Sequence, residues 1–192
     1  MSGLILLESI LERLKPNYPA GLSDDDLFEF YCADNVLVNY DLDHSEIEAG
    51  IVDGPRDAGI DAAYVFINRR LLTDDFKFES VKQPVDIELF VFQAKNQDTF
   101  KEGPVDKLSS SLPLLLDPKQ QRATLEALFK KRVVSILQSF LDAMKEVFVS
   151  KCGLEACSLC FDNLIWSVAK TSRFPSWELS SFTIARATKK GS

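Results

Sequence analysis

Asp61 opens one apolar run, and Gln93-Ala94-Lys95 closes a second, a split set of one acid, one amide oxygen and one ammonium. A carboxylate at the start of one strand and a Gln-x-Lys at the end of the next can meet at a point where a phosphate is handled. Hydrolysing a phosphodiester needs a water made nucleophilic, charge neutralisation on the phosphate and help for the leaving oxygen. Mg²⁺ or Mn²⁺ held by carboxylates and a carbonyl meets most of these needs, and a nearby lysine adds positive charge or helps activate the water. In that scheme Asp61 is the metal carboxylate, Gln93 offers its side-chain carbonyl, and the Ala94 backbone carbonyl is a further ligand. Lys95 is the cation facing the phosphate or the attacking water. Glu29, on a helix beside the sheet, is a second acidic ligand or orients a ligated water.

The elements that must position these groups follow from periodicity. Apolar residues at 4, 6, 7, 10, 11 and 14 have helical spacing, ended by Pro16. Ser23 is a good N-cap, followed by Asp24, Asp25 and Asp26 where a helix dipole favours acids. The helix it starts buries Leu27, Phe28, Tyr31, Cys32 and Val36, carries Glu29 beside that stripe, and ends near Asn39. Residues 41–57 are polar, acidic and rich in turn formers. Residues 60–67 predict a strand, with Asp61, Ala63, Val65 and Ile67 on one face and Ile60, Ala62, Tyr64 and Phe66 on the other. Both faces are mostly apolar, so the strand is expected to be covered on both sides.

Asn68-Arg69-Arg70 predicts a hairpin turn into Leu71-Leu72, and residues 85–95 a second strong strand. Period-two geometry puts Gln93 and Lys95 on one face, with Ala94 pointing away. Pro104 fits the first turn of a helix running to Leu112, where Pro113 interrupts it. Residues 118–150 predict one long helix with a wide apolar stripe from Leu125 to Val147. Helix, strands, helix is the order of an α/β sandwich.

The motifs now resemble a known family. Phe28-Glu29-Phe30, Ile51-Val52-Asp53-Gly54, Asp57 through Tyr64 and Phe92-Gln93-Ala94-Lys95 resemble the N-terminal region of the AIPR proteins, bacterial abortive-infection phage-resistance proteins. The resemblance covers roughly residues 20–100 and continues to about 150. It implies a PD-(D/E)xK, restriction-endonuclease-like core: a central mixed sheet flanked by helices, with a long helix after the core strands. It also implies Mg²⁺-dependent cleavage of DNA in antiphage defence. Asp61 matches the family's metal-binding aspartate, Gln93 its variable acid-or-Gln position, Lys95 its lysine and Glu29 its helical glutamate. Ala58 stands where a glycine is expected.

Other candidates carry less. Asp53 and Asp57 are read as turn residues ahead of second acids. His44 is a single histidine, which argues against Ser-His-Asp catalysis and fits a surface or N-cap neighbour. Cys152, Cys157 and Cys160 invite zinc, but no convincing fourth ligand is near, so free thiols are expected. The glycines are too scattered to cradle a nucleotide phosphate, and no nucleotide cofactor is expected. Lys130, Lys131 and Arg132 read as a solvated basic face that could touch phosphates.

The 192 residues fit one domain with a sizeable core. Charge is uneven beneath the net −7: residues 1–100 hold 8 basic and 20 acidic side chains, residues 101–192 hold 14 and 9. That split allows an acidic metal-holding half beside a basic half, yet charge alone does not argue for nucleic acid. No apolar run approaches the ~20 residues of a membrane span, and no signal peptide is recognised, so a cytoplasmic protein with no membrane partner is expected. DNA is the expected partner, and the long helix's apolar stripe allows a homodimer. Residues 1–150 are expected to form the nuclease-like domain that the resemblance implies. Residues 151–192, with three of the four Cys and both Trp, read as a tail of doubtful order, a truncation or a shifted frame. The rival readings are an inactive nuclease-fold module for nucleic-acid sensing or dimerisation, and an interaction scaffold.

Overall fold

The computed structural model describes residues 3–52, 54–82, 85–94, 102–152 and 180–189. Lys95 and Asp53 lie outside the described residues, as do Cys157, Cys160, Trp166 and Trp177. Helices α1 (Gly3–Leu14), α2 (Asp24–Val36) and α3 (His44–Gly50) precede strands β1 (Ala62–Ile67), β2 (Arg70–Leu71) and β3 (Val85–Gln93). Helices α4 (Glu102–Leu115), α5 (Arg122–Leu128) and α6 (Lys131–Cys152) follow, and β4 (Ser180–Lys189) closes the order.

The strands form one sheet in the order β2-β1-β3-β4, and every pairing in it is antiparallel. The mixed sheet expected from the resemblance is therefore corrected. A parallel pair needs a crossover of a dozen or more residues, usually a helix. Here β1 turns into β2 through Asn68 and Arg69, both with left-handed backbone (φ 49° and 66°), as a type I′ hairpin demands. Between β2 and β3 the described residues hold one short 3-10 turn, Phe78–Ser80, and no α-helix. Strand β4 pairs from Val85↔Lys189 to Gln93↔Ser180, with a register shift at Leu89/Phe90.

The period-two reading of β1 decides what covers each face. Ala63, Val65 and Ile67 join Val85, Ile87, Leu89 and Val91 in a core completed by Val133, Leu137, Phe140 and Met144 of α6. Ala62, Tyr64 and Phe66 join Phe90 and Phe92 against Phe30 of α2 and Ile47 of α3. All six β1 residues are buried, so the sheet is sandwiched between helical layers. Ile60 breaks the alternation and packs with the α6 side, because the strand begins only at Ala62. The apolar stripe of α6 is thus absorbed by the chain's own core, which removes it as support for a homodimer.

Three elements differ from expectation for identifiable reasons. The polar stretch after Asp41 contains α3, started by a capping box: the Asp43 carboxylate accepts from the Glu46 amide while Glu46 accepts from the Asp43 amide. The predicted 118–150 helix breaks at Phe129, whose backbone is extended (φ −118°, ψ 164°). Lys130 is drawn aside there, its amide donating to the Arg56 carbonyl at 2.8 Å and its ammonium to the Val52 carbonyl at 3.1 Å. Pro113 does not end α4; it sits exposed in the last turn while Leu112, Leu115 and Leu116 around it are buried.

Helix α2 begins as the sequence predicts. The Ser23 hydroxyl accepts from the Asp26 amide at 3.1 Å, and Asp26 closes the capping box. Ser23→Ala is expected to cost about 1 kcal/mol of stability, lowering the urea midpoint without changing the slope of unfolding. An unchanged midpoint would show that α2 does not depend on its cap.

Candidate functional site

Asp61 precedes β1 and is buried, with only 4% of its surface exposed. Backbone and side-chain hydrogen bonds fix it. Its amide donates to the Phe92 carbonyl at 2.9 Å, its carbonyl accepts from the Val52 amide at 2.8 Å, and its Oδ2 accepts from the Ala94 amide at 2.7 Å. Asp61 therefore spans Gln93, gripping the residue on either side of it. The register Ala62↔Phe92, continued by one step, also sets Asp61 opposite Gln93.

Gln93 ends β3 and is itself buried. Its side-chain oxygen Oε1 has no hydrogen-bond partner among the described residues. A buried amide oxygen left unmatched costs roughly 1–3 kcal/mol, so such a group calls for a reason.

Glu29 approaches from α2. It lies one turn before Cys32, and Cys32 packs with Leu7, Leu11, Leu27, Phe28, Tyr31 and Ala94. Burial pushes the Cys32 thiol well up, and the charges of Glu29 and Asp61 push it further in the same direction. Glu29 of α2 and Asp61 ahead of β1 thus both lie near enough to Cys32 for their charges to act on its thiol. Cys32 is expected to resist iodoacetamide in the folded protein and to react only on unfolding, because burial and neighbouring negative charge suppress the thiolate. Peptide mapping that found Cys32 alkylated under native conditions would contradict this placement.

The sequence-predicted set is thus partly assembled. Asp61, Gln93 and Ala94 meet at adjoining strand ends, Glu29 shares the Cys32 neighbourhood, and Lys95 lies outside the described residues. Ala94 contributes an amide to Asp61; its carbonyl remains the expected ligand. Two carboxylates and an amide oxygen are hard donors of the type that suits Mg²⁺ or Mn²⁺. Among the described residues no three His, Cys, Asp or Glu side chains form a metal cluster, so a site here would draw on the amide and backbone oxygens.

The other candidates fall into structural roles. Asp57 is a turn residue whose Oδ1 accepts from the Gly59 amide at 2.7 Å. His44 is exposed at the start of α3, its ring stacked on Tyr18 at 5.5 Å between centroids. The basic run at α6 is engaged: Lys130 holds Val52, and Arg132 donates to the carbonyls of Glu48 and Ala49. Those carbonyls belong to the last turn of α3, so Arg132 completes a short helix's C-terminal end. Sequence reasoning missed this service and also the ion pair of Lys107 with Asp57 at 2.6 Å. A pairing fifty residues apart leaves no local signal.

No helix among the described residues is long and apolar enough to cross a membrane. The chain matches no family model, no curated protein and no solved structure.

Proposed function

We propose that this chain is a Mg²⁺-dependent endonuclease domain that hydrolyses DNA, with the restriction-endonuclease-like core and antiphage role that its AIPR-like motifs imply. The observation that carries the reading is the grip of Asp61 on both neighbours of Gln93, a residue whose buried amide oxygen lacks a partner among the described residues. Asp61, Gln93 and Glu29, with the Ala94 carbonyl, would hold the metal. When bound, Mg²⁺ supplies charge neutralisation at the phosphate and a more acidic water. Lys95 would place its ammonium at the phosphate or the attacking water, and the surrounding apolar packing excludes bulk solvent from Asp61. Cleavage of both strands would call for two copies of the site.

The rival reading is an inactive module that keeps the fold without turnover. Supercoiled plasmid incubated with Mg²⁺ or Mn²⁺ separates the two readings. The nuclease predicts nicking that Asp61→Asn and Lys95→Ala both remove. Equal nicking in all three preparations would mean a contaminant, and none in any would favour the inactive module.

A further inference from the structure

The turn from Asp57 to Ile60 is held more firmly than a connection requires. Asp57 Oδ1 accepts from the Gly59 amide at 2.7 Å and from Lys107 Nζ at 2.6 Å, and the Asp57 carbonyl accepts from the Ile60 amide at 3.0 Å. Within this bracket Ala58 and Gly59 are both left-handed, with φ of 64° and 79°. Such backbone costs a residue with a side chain roughly 1–2 kcal/mol, so buried Ala58 holds it only because its surroundings impose it. Asp61 follows directly. Its chain direction is set by the turn that Asp57 pins.

Lys107 stands on α4. The pair therefore ties the turn that leads into Asp61 to α4. Lys107 is half exposed, with 53% of its side-chain surface accessible. Water screens such a pair, and its net contribution to stability is small. Its effect falls on geometry.

We infer that Asp57 and Lys107 are a positioning pair that fixes Asp61 against the Gln93-Ala94 strand end; this rests on the nuclease reading above. The sign of the response separates position from charge. Removing a cation beside an acidic site strengthens cation binding if charge alone acts. Removing a positioning contact weakens it, typically about 10-fold or more for groups that orient metal ligands.

The test uses the full chain and the variants Lys107→Gln, Lys107→Arg and Asp57→Asn, with melting midpoints followed against Mg²⁺ and Mn²⁺. Amide exchange at Ala94 is followed in the metal-free protein. Lys107→Gln and Asp57→Asn should each raise the half-saturating metal concentration about 10-fold. Each should also speed Ala94 exchange, while the metal-free melting point stays nearly constant. Lys107→Arg should restore both. A Lys107→Gln protein with unchanged or tighter metal binding overturns the pair. Weakening by Asp57→Asn alone would make Asp57 a direct ligand and overturn it equally. If wild type and Asp61→Asn respond to metal identically, the nuclease reading has failed and takes this inference with it. A normal wild-type response with an unshifted Lys107→Gln removes the pair alone.

Discussion

Asp61→Asn should abolish the metal-induced rise in melting temperature and cut plasmid nicking by at least about 100-fold, with the chain still folded. Asparagine keeps a side-chain carbonyl that can accept from the Ala94 amide, so the bond at 2.7 Å survives while the negative charge goes. That separation matters because Asp61 has two candidate duties. As a structural acceptor it closes the gap at the ends of β1 and β3; as an anion it would hold a cation. Asp61→Ala removes both and should additionally destabilise by about 1–3 kcal/mol, because a buried amide loses its acceptor. A folded Asp61→Asn protein with a wild-type metal response would confine Asp61 to the structural duty and end the nuclease proposal.

The largest loss of stability is expected at Gly50. A Cβ there would lie 2.1 Å from Tyr64 Cε1 and 2.3 Å from Cζ, distances that atoms do not tolerate. The ring cannot step aside easily. Tyr64 is buried at 2% exposure, its hydroxyl donates to the Ile47 carbonyl at 2.6 Å, and its ring contacts Phe66 and Phe92. Gly50→Ala must displace the ring or push α3 off the sheet. Overpacking costs about 1–3 kcal/mol and the lost buried hydrogen bond a further 1–3. The sum is a large share of the roughly 5–15 kcal/mol that holds a domain together. The melting point should fall by about 10 °C. A fall of under about 2 °C would mean that α3 docks loosely, contrary to the packing described.

Much of the fold was legible because its signals are local. Ser23 with three following aspartates announces α2, and alternation through residues 60–67 announces a strand buried on two sides. The capping signature Asp43-x-x-Glu46 was equally present, yet a seven-residue helix in an acidic stretch has too little apolar periodicity to declare itself. What resisted prediction depends on contacts far apart in sequence. The break at Phe129 exists because Lys130 reaches Val52 and Arg56, and nothing in residues 118–150 encodes those partners. The site divides in the same way. Asp61 and Gln93 could be paired from strand ends alone, whereas the shared influence of Glu29 and Asp61 on Cys32 required the packing of α2.

The sheet order has a consequence for biosynthesis. Strand β3 lies between β1 and β4, and β4 is drawn from residues 180–189, within the stretch that composition set apart. A ribosome releases the chain from its N-terminus, so β3 emerges with its outer amides and carbonyls unmatched until almost one hundred more residues have been made. During that interval Val85–Gln93, six of whose nine residues are apolar, is a bare template onto which a second nascent chain can add. Cutting the chain after α6 would make that vulnerable interval permanent.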